Sequence, residues 1–558
     1  MKSGLHNLIR GTFEECIRLG LLKDMPLPAY VIEIPNHPDH GHFATNLPLA
    51  LASGQKRPPL EIASVIVDHL VDKAHLVERA EAAAPGFINF RIRREIWYGV
   101  LESVLRLGER YGGGEASPRE PVLVEFVSAN PTGPLHLGHG RGAAFGDTLC
   151  RILAFCGYQV TREFYVNDAG RQIRLLGESI YSRYKQQEEA DYPFPENGYH
   201  GGYVRELAER ISTEADLDGI PAEEAVALCS RKGKVLMLEA IKEDLARFGV
   251  SFDVWFSELG LHRQGLLEQA LEIIRQREQV YEKDGAVWIK TSAHGDDKDR
   301  VVRKSDQQYT YFASDIAYHL EKHKRGFRRA INIWGADHHG YVPRVNAALS
   351  ACGLPEGWLS VILMQLVKLW QGGQEIRMSK RTGDFVTLQE LVDEVGVDAV
   401  RFIFLTKSHD STLDFDIDLA KKQDSDNPVY YVQYAHARIC SVFRKAHAEG
   451  ITLPEPRDGL LERLVMEEEM ALIRSLAEFP SLLEDICRSL EPHRLTYFLT
   501  DLASSFHKYF NLGNSYPEHR IVGPDQALSQ ARLCLAEGVR RVIANGLRLM
   551  GIVAPERM

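Results

Sequence analysis

His136 and His139 close the run Asn130-Pro131-Thr132-Gly133-Pro134-Leu135-His136-Leu137-Gly138-His139. Just upstream, Val122-Leu123-Val124-Glu125-Phe126-Val127 is a β-branched run typical of a strand buried on both faces. The Pro- and Gly-punctuated loop between them continues neither element, and the apolar spacing over 143–155 predicts a helix. Strand, loop and helix N-terminus in succession make an anion site, because the first turn's N–H groups and the helix dipole both favour phosphate. Two histidines at that mouth can donate to phosphoryl oxygens as charge develops, and Gly138 lets a bulky ligand approach the backbone. A lone histidine at a helix start is more often a cap. Gly138, Gly140 and Ala143 also fit a loose G-x-G-x-x-A dinucleotide pattern. That fingerprint wants its first glycine directly after the strand, however, and here a proline-containing loop intervenes. The stretch therefore predicts a phosphate site with room beside it for a second substrate.

Three later segments carry further chemistry. Tyr311 and Asp315 are four residues apart in a helix-like segment and share one face. Ile331-Asn332-Ile333-Trp334 reads as a strand, and Gly335-Ala336-Asp337 after it offers a carboxylate to a ribose hydroxyl. His338 and His339 are adjacent, without the i, i+4 spacing of helical zinc ligands. Met378-Ser379-Lys380 places a lysine in a Ser- and Gly-containing loop, a weak signal by itself.

HLGH after a strand and SANPTGP resembles the HIGH signature of class I aminoacyl-tRNA synthetases. The fuller wording VEFVSANPTGPLHLGHGRGAAFGD resembles the arginyl-tRNA synthetase family, and YVNDAGRQ (165–172) is similar to that family's catalytic domain. Arg377-Met378-Ser379-Lys380 resembles the KMSKS loop, with Arg377 in place of the first lysine. The resemblance covers essentially the whole chain.

It implies an arginine–tRNA ligase that makes arginyl-adenylate and pyrophosphate from L-arginine and ATP. Arginine is then transferred to the 3′-terminal adenosine of tRNA(Arg). The substrate's own carboxylate attacks the α-phosphate, so positioning and cationic stabilisation matter and no general base is needed. His136, His139 and Lys380 are the implied catalytic residues. Gly138, Gly335, Asp337, His339, Met378, Ser379 and Lys380 are assigned to ATP, which arrives with Mg²⁺. A guanidinium calls for planar carboxylate acceptors, and Asp315 with Tyr311, and Glu125, are the candidates. Asp315 is the preferred one, the alternative being that it caps or salt-bridges a helix. By resemblance Ser128 and Asn130 hold the amino acid's α-amino and carboxylate end, with His136 and His338 alongside.

The elements that must position these groups fall into three parts. Residues 1–110 read as an α/β domain, with helices over roughly 3–20 and 59–80 and a strand at Ala84-Pro85-Gly86-Phe87-Ile88-Asn89-Phe90. Its wording is similar to the family's extra N-terminal domain, which contacts tRNA. The His-rich stretch 37–42 reads as a loop, given its Pro and Gly neighbours. Residues 111–420 read as a Rossmann-type α/β catalytic domain with a parallel sheet. Val160–Val166 is its second strand, Asn167 or Asp168 caps the next helix, 185–300 is a charged helical insertion, and 361–367 is its last strand. From 421 to 558 the sequence reads as an all-α helical bundle. There Tyr430, Tyr434 and Arg438 are either bundle core or, as the resemblance implies, contacts to tRNA bases.

Composition limits the alternatives. The chain's 558 residues are enough for several domains, and 44% hydrophobic with 26% charged is ordinary globular usage. A net charge of −11 argues against non-specific polyanion binding but not against an RNA partner met by local basic patches. The eight cysteines form no C-x-x-C pair, so neither structural zinc nor a disulfide framework is expected. With no signal-peptide pattern and no membrane-length apolar run, a cytoplasmic protein is the expectation, and a monomer is the expected state.

Overall fold

The computed structural model describes residues 1–35, 37–114, 120–376, 386–455 and 459–558. Arg377, Met378, Ser379 and Lys380 lie outside the described residues.

The first part comprises α1 (Lys2–Arg18), β1 (Ile32–Glu33), β2 (Phe43–Thr45), α2 (Leu47–Gln55), α3 (Pro59–Asp68), β3 (Val77–Ala83) and β4 (Phe87–Ile92). Its four strands form an antiparallel sheet in the order β1-β2-β4-β3. The helix expected over 59–80 ends at Asp68, and its last part is strand β3. Asp72 explains the break, because its carboxylate accepts from the backbone N–H groups of Leu76 and Val77 at 2.9 and 2.7 Å and turns the chain into the sheet. Helix α4 (Arg94–Leu107) leads away from this sheet.

The catalytic sheet begins with β5 (Pro121–Glu125), followed by α5 (Leu137–Phe155), β6 (Gln159–Val166), α6 (Arg171–Lys185), α7 (Gly202–Glu214), α8 (Ala222–Arg247) and β7 (Val254–Ser257). Next come α9 (Glu258–Arg263), α10 (Leu266–Gln276) and a small antiparallel sheet of β8 (Val280–Lys283), β9 (Ala286–Ile289) and β10 (Arg300–Arg303). Helix α11 (Tyr311–Lys324), β11 (Arg329–Gly335), α12 (Val342–Ala351) and β12 (Leu359–Met364) complete it. All five main strands are parallel, in the order β12-β11-β5-β6-β7. The order reverses between β5 and β11, so a ligand crevice opens at the carboxyl ends of those two strands.

Two expectations are corrected here. The span 185–300 is not wholly peripheral, because β7 within it is an edge strand of the main sheet. The strand expected over 361–367 is two strands. Its first part is β12, and Val367 opens β13 (Val367–Gln371), which pairs with β14 (Gln374–Ile376) and, in parallel, with β15 (Leu413–Asp416). Helices α13 (Leu388–Val395) and α14 (Val397–Phe404) connect β14 to β15.

After α15 (Ile417–Lys421) the chain is helical: α16 (Pro428–Ala448), α17 (Glu467–Ser489), α18 (His493–Ser515) and α19 (Gln526–Leu549). Asn427 caps α16 by accepting from the Val429 N–H. The bundle is joined to the rest by Tyr98 and Tyr111, whose hydroxyls donate to the carbonyls of Leu464 and Leu476 at 3.0 and 2.9 Å. Arg401 is fully buried and ties four elements together. It donates to Asp147 of α5 at 2.6 Å and to the carbonyls of Phe248 and Met550. The eight cysteines are buried free thiols, and no helix among the described residues is long and apolar enough to cross a membrane.

Candidate active site

Helix α5 begins at Leu137, six residues before the expected start, so the two histidines belong to its first turn. The reason lies in the rings themselves. His136 is the N-cap, and its Nδ1 accepts from the N–H groups of Gly138 and His139 at 3.1 and 3.4 Å. His139 Nδ1 accepts in return from the His136 N–H at 3.3 Å, and the rings stack with centroids 3.7 Å apart. Capping and catalysis are therefore not alternatives. An Nδ1 that accepts from backbone leaves the proton of a neutral imidazole on Nε2, which makes each ring a donor there.

Strand β5 ends abruptly. Val127 and Ser128 have φ of +67° and +39°, a left-handed pair rarely adopted by a β-branched residue and its neighbour. This turn places Ser128 Oγ 3.0 Å from Glu125 Oε1, where it donates, and 3.1 Å from the Tyr165 N–H, from which it accepts. Glu125 also accepts from Lys322 Nζ at 2.6 Å, and Lys322 donates to Asn332 as well. Both charges of that pair are buried. On β6, Glu163 is likewise occupied, by the Tyr318 hydroxyl at 2.6 Å and both Arg325 amines. Asn130 is half-buried in the loop beyond Ser128.

Two carboxylates of a second group, Asp315 and Glu258, are not paired in this way. Asp315 on α11 accepts from the Tyr341 hydroxyl, and burial pushes its carboxyl up to about 6. Glu258, the first residue of α9 and 6% exposed, is pushed up to about 7, by burial first and then by the charges of Asp315 and Asp168. Among the described residues neither Asp315 nor Glu258 lies within ion-pairing distance of a cation. Asp168 closes the group. It does not cap α6, whose N-cap is Gly170, but accepts from Ser257 Oγ and the Leu259 N–H and pairs with Lys234 at 3.3 Å. The Tyr165 hydroxyl is pushed far up by burial and by Glu258, Asp315, Glu125 and Asp168, in that order. These four carboxylates thus share one neighbourhood.

Tyr311 is 79% exposed at the start of α11, with its hydroxyl over Gly170. Gly335, Asp337, His338 and His339 are exposed at the carboxyl end of β11. A Cβ on Gly335 would come within 2.5 Å of Asp337 Oδ1 as it stands, and that exposed carboxylate would have to swing aside. His338 lies 3.9 Å from Asp337, and its ring is 5.9 Å from Trp334, whereas Tyr341, 6.1 Å from Trp334, is the residue that bonds Asp315. Among the described residues no three His, Cys, Asp or Glu side chains group to hold a metal ion.

Sequence reasoning did not single out Glu258, Tyr165, Tyr341 or Lys322. Glu258 was hidden in the span taken for an insertion. Its signal is positional, a carboxylate directly after a strand that joins the parallel sheet.

In the bundle, Tyr430 stacks on Tyr434 at 6.0 Å, and Arg438 lies over the Tyr434 and Phe510 rings while donating to His507. Tyr434 and Arg438 line a recess of about 630 Å³ shared with Arg444, Lys445, Arg520 and Arg557. This is a local basic and aromatic surface on an acidic protein.

Known proteins match this chain part by part. Residues 5–92 match the arginyl tRNA synthetase N terminal domain, 100–418 the class I (R) tRNA synthetase catalytic domain, and 432–558 the DALR anticodon binding domain. The arginine–tRNA ligase of Desulfosudis oleivorans is 49% identical, with all of both chains covered. That of Aquifex aeolicus is 46% identical over 95% of this chain and 96% of its own. A putative arginyl-tRNA synthetase structure from Campylobacter jejuni superposes with a TM-score of 0.75 at 36% identity, covering 84% of this chain and all of that one. The Thermus thermophilus arginyl-tRNA synthetase, at 24% identity, shares the fold over the full length of both chains with a TM-score of 0.78. The chain belongs to the arginyl-tRNA synthetase family, class I enzymes that use ATP to join arginine to its tRNA.

Proposed function

We propose that Glu258 and Asp315 receive the guanidinium of L-arginine in the first step of tRNA aminoacylation. One observation carries this assignment: two carboxylates raised toward neutrality by burial, with no cation in pairing distance among the described residues, at the carboxyl end of the parallel sheet. A guanidinium offers that pair a planar, permanently charged partner and restores both carboxylates to their ionised form. Tyr311 and His338 flank the entrance. Ser128, Asn130 and His136 hold the α-amino and carboxylate end. Glu125 contributes by fixing Ser128, since its own oxygens are engaged by Lys322 and Ser128.

ATP, with its Mg²⁺, lies across the crevice between β5 and β11. Its phosphates meet the α5 N-terminus at Gly138 and its ribose meets Asp337, beside Gly335 and His339. Met378, Ser379 and Lys380 serve the leaving pyrophosphate. An arginine carboxylate oxygen attacks the α-phosphorus, and the bond from that phosphorus to the oxygen bridging to the β-phosphate breaks. The Nε2–H groups of His136 and His139 donate to the oxygens on which charge accumulates. In the second step a hydroxyl of the terminal adenosine attacks the arginyl carbonyl and AMP leaves.

The parts divide as 1–110, 111–420 and 421–558, with Tyr430, Tyr434 and Arg438 on the anticodon side of tRNA(Arg). The enzyme works as a cytoplasmic monomer. Arginine-dependent ATP–pyrophosphate exchange, with and without tRNA(Arg), tests the reading. Exchange with arginine but not with citrulline is expected. Absence of exchange with arginine and tRNA(Arg) together would overturn it.

A further inference from the structure

One turn beyond the two histidines, Arg141 is 1% exposed. Its Nη1 donates to the carbonyls of Gln365 and Ser411 at 2.8 and 3.0 Å, and its Nη2 to the carbonyl of Ser408 at 2.8 Å. Among the described residues it forms no ion pair, and burial lowers it to about 10, so it stays charged at neutral pH. A buried cation satisfied by three carbonyls is costly, and a neutral side chain would fill the space at lower cost. What the arrangement provides is geometry. Gln365 lies between β12 and β13, and Ser408 and Ser411 lie between α14 and β15, so one guanidinium grips both entrances to the sheet β14-β13-β15.

That sheet is where the chain departs toward Lys380, since β14 ends at Ile376. The chain returns against the histidines themselves. Thr387 forms a β-bridge with His136, and the Leu388 N–H donates to the Leu135 carbonyl at 2.8 Å. Gly140 allows this approach, because a Cβ there would meet Leu388 at 2.6 Å. The described residues on both sides of Lys380 are therefore referenced to α5, directly at Thr387 and Leu388 and through Arg141 at the sheet β14-β13-β15.

We propose that Arg141 is a positioning residue for ATP activation, setting the separation between the α5 histidines and the strand pair that leads into Lys380. It touches neither substrate. The inference rests on the assignment of Lys380 to ATP, and it concerns the ATP half of the site only. Glu258 and Asp315 stand on α9 and α11, outside the grip.

The test is ATP–pyrophosphate exchange with tRNA(Arg) present, for Arg141→Lys and Arg141→Met, with KM measured separately for ATP and arginine. Lysine keeps the charge but cannot span three carbonyls in one plane. Arg141→Lys is expected to lose about tenfold in kcat/KM for ATP, with KM for arginine unchanged. Arg141→Met should lose more, and if it fails to fold, Arg141→Lys decides alone. The tRNA dissociation constant, read by filter binding, should be that of the parent. Unchanged ATP parameters in Arg141→Lys, or equal losses for ATP and arginine, would overturn the proposal. A Lys380→Ala control separates the two levels. If it leaves exchange intact, the assignment of Lys380 fails; if it abolishes exchange while Arg141→Lys does not impair ATP use, only the role of Arg141 fails.

Discussion

Two pairs of carboxylates stand at the parallel sheet, Glu125 with Glu163 and Glu258 with Asp315, and they differ in one respect. Glu125 and Glu163 each have a cation in the fold, Lys322 at 2.6 Å and Arg325 at 2.6 Å. Glu258 and Asp315 have none among the described residues, and burial raises both. Paired carboxylates belong to the architecture, because removing either partner strands a charge. Unpaired ones are a standing cost that a cationic ligand removes. The difference is what supports the proposal that Glu258 and Asp315, with Glu125 engaged by Lys322, receive the guanidinium.

The sharpest way to break this comparison is to neutralise one carboxylate of the unpaired set. Asp315→Asn should lower kcat/KM for arginine by about a thousandfold, since an amide cannot balance a buried guanidinium. Steady-state exchange kinetics read this directly, and a loss below tenfold would assign Asp315 to the fold instead. The complementary change is Lys322→Met in the paired set. It should cost about 3 kcal/mol of stability by leaving Glu125 uncompensated, visible in denaturant unfolding. A variant with parental stability would mean that Glu125 is open to ligand after all.

The pH dependence should separate the sets next. Carboxylates raised to about 6 and about 7 hold protons that arginine must displace. The KM for arginine should therefore rise as pH falls below 7, by about tenfold per unit once one proton must leave. The KM for ATP measured over the same range should not follow it. The smallest expected effect is on stability. A carboxylate whose folded value lies above its unfolded value binds its proton more tightly when folded, so its contribution to stability falls as pH rises through 4 to 7. Glu258→Gln should accordingly stabilise the unliganded protein by about 1 kcal/mol at neutral pH while weakening arginine. Thermal unfolding with and without arginine checks both halves.

Much of this site was legible in the sequence because its signals are local. The β-branched strand, the HLGH cap and the Gly335-x-Asp337 turn are each decided within a few residues of themselves. Asp315 could be picked out as a candidate because Tyr311 and Asp315 share a helix face. Glu258 was not, because its importance arises only when β7 pairs with β6, a contact between Ser257 and Val166 that no local pattern announces. The pairing of Glu125 with Lys322 of α11, across 197 residues, is equally hidden from any local pattern. The same limit explains the N-terminal part, where the helical spacing of 59–80 gave way at Asp72 to a side-chain-to-backbone turn. The bundle's aromatics were left between core and surface. The structure resolves them unequally, with Tyr434 on an open basic recess and Tyr431 half-buried against His507.

The most direct test of the central claim is calorimetric titration of arginine into the enzyme at pH 6.5, in buffers of differing ionisation enthalpy. Each guanidinium that settles between Glu258 and Asp315 should release about one proton, and Glu258→Gln should release markedly less. Binding without proton release, or with the same release in Glu258→Gln, would contradict the account.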